Sequence, residues 1–338
     1  MFDMTVEERY ETETVSHSGL MSLEKGPVAY RKYKEREEKS TKGMNLGSAI
    51  HCEILEPDEF QDRYMVSKYA IPAGKNATFV EELYRTRVDS LASYIDQYTE
   101  EWIQNAWEVS ELKGTPQKAW EAFTGDTDTA TKLQCYWEYL EQSEGKFKLD
   151  PSDVEIINAC KKSIEEHKAA SSLMFGYALC DVHEELDIIW KLEGFNFKMR
   201  SIIDKLIIDR EAKVIKMVDL KTSAKNIHKF NEPYAEYGYY RQLPLYEGAV
   251  AWYAKNTLGI DMDGWKIESY IVAVQTTGIH ECAVYTPSKV DTLKGIADTM
   301  NALSVMDWHF SQDKWDYPRE YYLGDGIITL EIDGKDSV

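Results

Sequence analysis

The stretch IIDKLIIDREAKVIKMVDLK, residues 202–221, holds two apolar runs on either side of the polar group Asp209 to Ala212. Runs rich in Ile and Val bounded by such a group read as two strands of a hairpin. A turn centred on Arg210 and Glu211 sets Asp204 opposite Met217. Side chains alternate along a strand, so Met217, Asp219 and Lys221 share the face of Asp204. Asp204 and Asp219 are then expected as diagonal neighbours, roughly 7 to 8 Å apart at Cα, near enough to grip one cation. A register slip of one residue would send them to opposite faces, so the pairing depends on that turn.

Both carboxylates interrupt apolar strands, Asp204 beside Ile203 and Asp219 after Val218. An uncompensated buried carboxylate is costly, which calls for a metal ion or a cationic partner. Lys221 offers the simplest partner, and for a D-x-K triplet alone an Asp–Lys pair at a sheet edge is the better reading. Asp204 in the same phase makes a metal site an equal contender. Hydrolysis of a phosphodiester needs a hard cation with oxygen ligands and a group that orients or deprotonates water, a task that two acids and a lysine suit. Glu185, in HEELDIIW (183–190), is the natural third acid, because its strand lies just before the hairpin. Glu184 competes for the role and is expected to face the other way.

Outward from the hairpin, FNFKMRSIIDKLIID (195–209), KVIKMVDL (213–220) and ESYIVAVQ (268–275) are strand candidates, joined to the last by the helical stretch NEPYAEYGYYRQLPLYEGAVAWYAKN (231–256). Upstream, a helix is expected from Pro151 to Ala170, and residues 78–143, rich in helix formers and tryptophan, form an inserted helical layer. Ser16 to Tyr33 predicts two short helices, and Leu46, Ile50 and Ile54 a third that Pro57 stops. Helices, an antiparallel meander, a crossover helix and a further strand define an α/β fold with a mixed central sheet. The chain is expected to form one domain over 1–338. Its N-terminal helices span 1–60, the helical layer 78–170, the core sheet 180–310 and a tail 311–338.

No run approaches the roughly 18 apolar residues of a membrane span, and the acidic start lacks the basic and apolar parts of a secretory leader. A cytoplasmic, membrane-free protein is expected. The five cysteines are dispersed without a C-x-x-C pair, which suggests neither a disulfide framework nor a zinc ribbon. Lys+Arg 39 against Asp+Glu 59 leaves a net charge of −20, so contact with nucleic acid must be local. A metal-loaded carboxylate cluster would reverse the field at that point.

These residues resemble the PD-(D/E)XK nuclease superfamily, in particular its RecB-like branch and phage-type exonucleases similar to exodeoxyribonuclease VIII. SHSGLMSLEKGPVAYRKY and LGSAIHCEILEPDEF resemble that group's opening helices and its G-x-x-x-H element, here Gly47 and His51. EELDIIW resembles the strand of the first acid, SIIDKL and VDLKTS the metal motif, and YYRQLPLY the Q-x-x-x-Y motif as Gln242 and Tyr246. The resemblance implies a restriction-endonuclease-like sheet and hydrolysis of DNA with Mg2+ or Mn2+. Its implied ligands are His51, Glu185, Asp204, Asp219 and the Leu220 carbonyl, with Lys221 activating the water. A lysine near a metal and partly desolvated is expected to titrate low.

Gln242 and Tyr246 share a helix face. Pro244 between them is expected to start the helix near Leu243 or to kink it, which leaves the direction of Gln242 open. Lys225 and Arg200 flank the motifs as candidate DNA contacts, with a solvated edge as the equal alternative. By resemblance the protein resects linear duplex ends 5′ to 3′ as a homo-oligomer and feeds a single-strand annealing protein. A structure-specific or single-strand endonuclease, or a catalytically silent binding member, are the competing readings.

Overall fold

The computed structural model describes residues 13–35, 42–68, 71–87, 99–177 and 179–328. The chain divides into two compact units, one of Met1–Ser40 with Ser163–Val338 and the other of Thr41–Lys162.

The first unit opens with β1 (Thr14–Val15), α1 (His17–Leu23) and α2 (Pro27–Glu35). Ser16 caps α1 by accepting from the Gly19 N–H. The mixed-charge run after Tyr33 continues α2 to Glu35, and residues 36–41 lie outside the described ones.

The second unit begins with α3 (Lys42–Leu55), α4 (Phe60–Arg63) and β2 (Tyr64–Val66). Ile50 and Ile54 are buried on α3 at the expected spacing, and the helix ends two residues before Pro57. Four helices follow, α5 (Lys75–Arg85), α6 (Glu100–Ser110), α7 (Pro116–Thr124) and α8 (Asp128–Gln142). Phe79, Leu83, Ala106, Phe123 and Trp137 form their shared core, the helical layer expected from composition. The strand β3 (Phe147–Leu149) pairs in parallel with β2, and the Tyr139 hydroxyl ties the two by donating to the Met65 carbonyl (2.8 Å) and the Leu149 carbonyl (3.1 Å).

The single helix expected from Pro151 to Ala170 is two, α9 (Pro151–Glu166) and α10 (Lys168–Phe175). His167 breaks it: its backbone is extended, and its Nδ1 accepts from the Ala170 N–H at 3.2 Å, capping the second helix.

The sheet of the first unit is built on β4 (Asp181–Trp190), β5 (Lys198–Asp209) and β6 (Val214–Ser223). Next come α11 (Asn231–Glu236), α12 (Tyr239–Asn256), β7 (Lys266–Gln275), β8 (Cys282–Tyr285), α13 (Lys289–Gln312) and α14 (Arg319–Leu323). One edge of β5 carries β4, antiparallel along most of its length, and the other carries β1 at Lys198–Met199 and β6 at Lys205–Asp209. The order continues through β7, parallel to β6 after the α11–α12 crossover, to an antiparallel β8.

Ile271 to Val274 are all buried, the unbroken apolar run of a central parallel strand covered on both faces. The core joins Ile271 and Ala273 to Ile203, Leu206, Met217, Leu243, Val250, Leu303 and Phe310. Trp190, within that core, satisfies its indole N–H on the Ser201 hydroxyl at 3.1 Å. No helix among the described residues is long and apolar enough to cross a membrane.

Candidate active site

The β5–β6 ladder runs from Asp209 opposite Val214 to Lys205 opposite Val218. The turn is therefore Arg210–Lys213, one residue later than Asp209–Ala212. Asp209 Oδ1 accepts from the Ala212 N–H at 2.8 Å, and Lys213 closes the turn in the left-handed region at φ 54°. Moving the turn by one residue moves the register by two, an even number, so every side chain keeps its face. Asp204 comes level with Asp219 instead of Met217. At that level the ladder ends, and the Asp204 Oδ2 accepts from the Leu220 N–H at 2.7 Å. The carboxylate takes the place of a strand partner, while β6 continues along β7.

Lys221 spans both oxygens of Asp219, 2.8 Å to Oδ1 and 2.7 Å to Oδ2. Its Nζ stands 5.0 Å from the centre of the Tyr239 ring, a cation–π contact. Burial pulls the ammonium down, but Asp219 and then Asp204 together outweigh it, and Lys221 titrates above the ordinary lysine range. The low-titrating lysine expected from sequence is thus not what the protein alone produces, because two carboxylates face it. Asp204 is raised as well, which for a carboxyl disfavours the charged form: burial raises it, against the opposing pull of Lys221 and the Leu220 N–H.

Glu185 lies between the paired positions Glu184–Lys205 and Leu186–Ile203, level with Asp204 on the adjacent strand. Its φ is 46°, a left-handed conformation inside a strand and one that a glutamate adopts only under constraint. A carboxylate oxygen of Glu185 and one of Asp204 lie within 4.8 Å of each other. Two oxygens on one ion with bonds of about 2.1 Å stand roughly 3 to 4 Å apart, so a small torsion brings these acids onto a shared hard cation. Glu184, its neighbour, is taken by the nearly buried Lys205 at 2.5 Å. The residues present fit a divalent metal with oxygen ligands.

Behind the strand ends, α12 starts at Tyr239 after Gly238 (φ 67°) and passes through Pro244 without ending, contrary to a start near Leu243. Pro244 leaves the Tyr240 carbonyl without its helical donor, and Gly295 of α13 packs against that carbonyl: a Cβ there would stand 1.9 Å from the oxygen. The continuous helix keeps Gln242 and Tyr246 one turn apart on one face. Burial pushes the Tyr246 hydroxyl up to about 12, Asp219 and Asp204 adding to it while Gln242 and Lys221 oppose. Tyr246 therefore lies in the field of the acidic pair.

Two residues near the lysine were missed by sequence reasoning. Tyr239 was legible, since 239, 242 and 246 follow the i, i+3, i+7 spacing of one helix face. His17 gave no local signal: it is buried, and burial followed by Arg241 and Lys221 pushes its imidazole down to about 4. The flanking cations are drawn away from the acids. Arg200 grips Asp187 with three contacts of 3.0 to 3.2 Å, and Lys225 meets Glu236 at 2.8 Å. In the second unit, His51 is half-buried on α3, one turn from Gly47.

A mixed sheet with aspartates level on two strands, a lysine two residues past the second and a third acid on the next strand defines the PD-(D/E)XK superfamily core. The chain belongs to the family described as PDDEXK-like domain of unknown function (DUF3799), whose model matches residues 16–316. No curated protein matches it. Among solved structures it is similar to a candidate exonuclease from Eubacterium rectale, at 11% identity and a TM-score of 0.35, covering 88% of this chain and 97% of that one.

Proposed function

We propose that this protein is a divalent-metal-dependent deoxyribonuclease, acting as an exonuclease on linear duplex DNA. The placement of Glu185 beside Asp204 at a strained backbone position, with Asp219 level on the next strand and Lys221 two residues past it, is the observation that carries it. Glu185, Asp204, Asp219 and the Leu220 carbonyl would hold Mg2+ or Mn2+, with His51 as a further ligand on the strength of the G-x-x-x-H resemblance. The bound ion supplies an acidified water and neutralises charge building on the phosphate.

Lys221, steadied by Asp219 and the Tyr239 ring, would orient an attacking water and meet the developing charge as an ammonium. Gln242 and Tyr246 face the strand being cut from one side of α12. Arg200 and Lys225 exchange their exposed carboxylate partners, contacts worth little in water, for flanking phosphates. Cutting from the 5′ end, assembly with further copies of this chain and supply of single strands to an annealing protein follow the resemblance to exodeoxyribonuclease VIII.

Purified protein with Mg2+ is expected to degrade linear duplex and leave closed circles intact. Asp219→Asn should lower the rate at least 1,000-fold with the circular dichroism spectrum unchanged. Nicking of closed circles would make it an endonuclease instead, and full activity in the variant would overturn the assignment of the site.

A further inference from the structure

The helix α13 buries Gly295, Thr299, Ala302 and Met306 on its inner side. A helix covered on one side ordinarily turns polar residues to water on the other. On α13 the outer side is apolar: Val290 is 75% exposed, Leu293 69%, Ile296 46% and Met300 43%. Val290, Leu293, Ala297, Met300 and Ser304, all exposed, follow alternating steps of three and four residues, the seam along which one helix packs on another. Beside the seam a cleft of about 140 Å3, lined by Trp190, Leu192 and Leu245, reaches Ile296 and Met300 and extends the apolar surface. Contiguous exposed apolar surface of this kind marks an interaction site.

The charges beside the seam identify what covers it. Lys289 and Asp307 lie on one flank, eighteen residues and so five whole turns apart, and Lys294 and Asp298 lie on the other. Lys294 and Asp298 now pair within the helix at 2.7 Å, an exposed contact worth little. Antiparallel copies of one helix turn like flanks to each other. With Ala297 opposite itself, Val290 comes level with Ser304 and Leu293 lies beside Met300. On the flanks, Lys289 then meets Asp307 and Lys294 meets Asp298, each twice by symmetry. A parallel arrangement would set Lys294 and Asp298 against Ile296. The small Ala297 at the centre allows close approach. A chain of net charge −20 repels its own copy at a distance, so contact needs a face without carboxylates, and the seam is one.

We propose that the outer face of α13 is a two-fold interface with a second copy of this chain, in which the two helices pack antiparallel about Ala297. The contact would serve the association named above, but it rests on α13 and not on the nuclease reading.

Sedimentation equilibrium of the full chain should fit a reversible monomer–dimer equilibrium. Leu293→Glu, at an exposed position, should weaken the dimer at least 100-fold with the circular dichroism spectrum unchanged. Lys289→Glu and Asp307→Lys should each weaken it at least tenfold, because each sets like charges together twice. Their equimolar mixture should recover a dimer holding one chain of each, since the mixed antiparallel pair alone matches opposite charges. A chain that is monomeric at every concentration, an assembly that Leu293→Glu leaves intact, or a mixture no tighter than its components would each overturn the interface. All of these readouts stand whether or not the protein cleaves DNA.

Discussion

Asp204 is the residue at which folding and function pull apart. Its carboxyl is raised by burial beyond what Lys221 and the Leu220 N–H return, so the folded chain binds that proton more readily than the unfolded chain. Stability from this group is therefore present at low pH and declines as the pH rises through the folded value. Asp204→Asn, which keeps an acceptor for Leu220, should raise the melting temperature in chelator at pH 7.5, with the gain vanishing near pH 3. Mg2+ should stabilise the wild type and leave the variant unmoved. A variant less stable than wild type in chelator would contradict the electrostatics described. Glu185 makes a second case, because the left-handed backbone costs an L-residue about 1 to 2 kcal/mol and glycine almost nothing. Glu185→Gly should be more stable than Glu185→Ala by about 1 kcal/mol in urea unfolding, the reverse of the order for an ordinary strand position. Both should abolish Mg2+-dependent cleavage.

At the scale of elements, the hairpin was legible in kind and in face but not in register. Asp209 as a turn initiator and Lys213 in the left-handed region lengthen the connection by local hydrogen bonding that composition does not reveal. The error left both aspartates together because the displacement was even. Glu185 was nameable by its place before the hairpin, whereas its φ, and the capture of Glu184 by Lys205, come from pairing with β5. Pro244 misled for a related reason: the helix runs through it, and the Tyr240 carbonyl it frees faces α13 at Gly295, 51 residues away, where the absence of a Cβ permits the close approach. Backbone at 1.9 Å from a new Cβ cannot yield as a side chain would. Gly295→Ala should therefore cost about 1 to 3 kcal/mol, seen as a lower denaturation midpoint with an unchanged slope. If it instead stabilises, as Gly→Ala does in an open helix, then the close approach is not maintained in solution.

For the molecule as a whole, the two compact units escaped a sequence reading because no linker or change of composition marks residues 40–41 or 162–163. Hydrophobic periodicity identifies helices without saying which core they join. The net charge of −20, by contrast, is plain from the sequence and governs how nucleic acid is met. A surface that repels phosphate leaves binding to a few cations near the acidic strand ends, of which Arg200 and Lys225 are exposed and held only by surface ion pairs. Each phosphate neutralised contributes about −0.9 to the slope of log K against log salt. With Ca2+ in place of Mg2+ to hold cleavage back, the double variant Arg200→Ala, Lys225→Ala should flatten that slope by about 2 on a short duplex. The reduction should be the same for duplexes of different sequence, since phosphate contacts carry none. An unaltered slope would assign the DNA track to other cations and leave these two as solvated partners of Asp187 and Glu236.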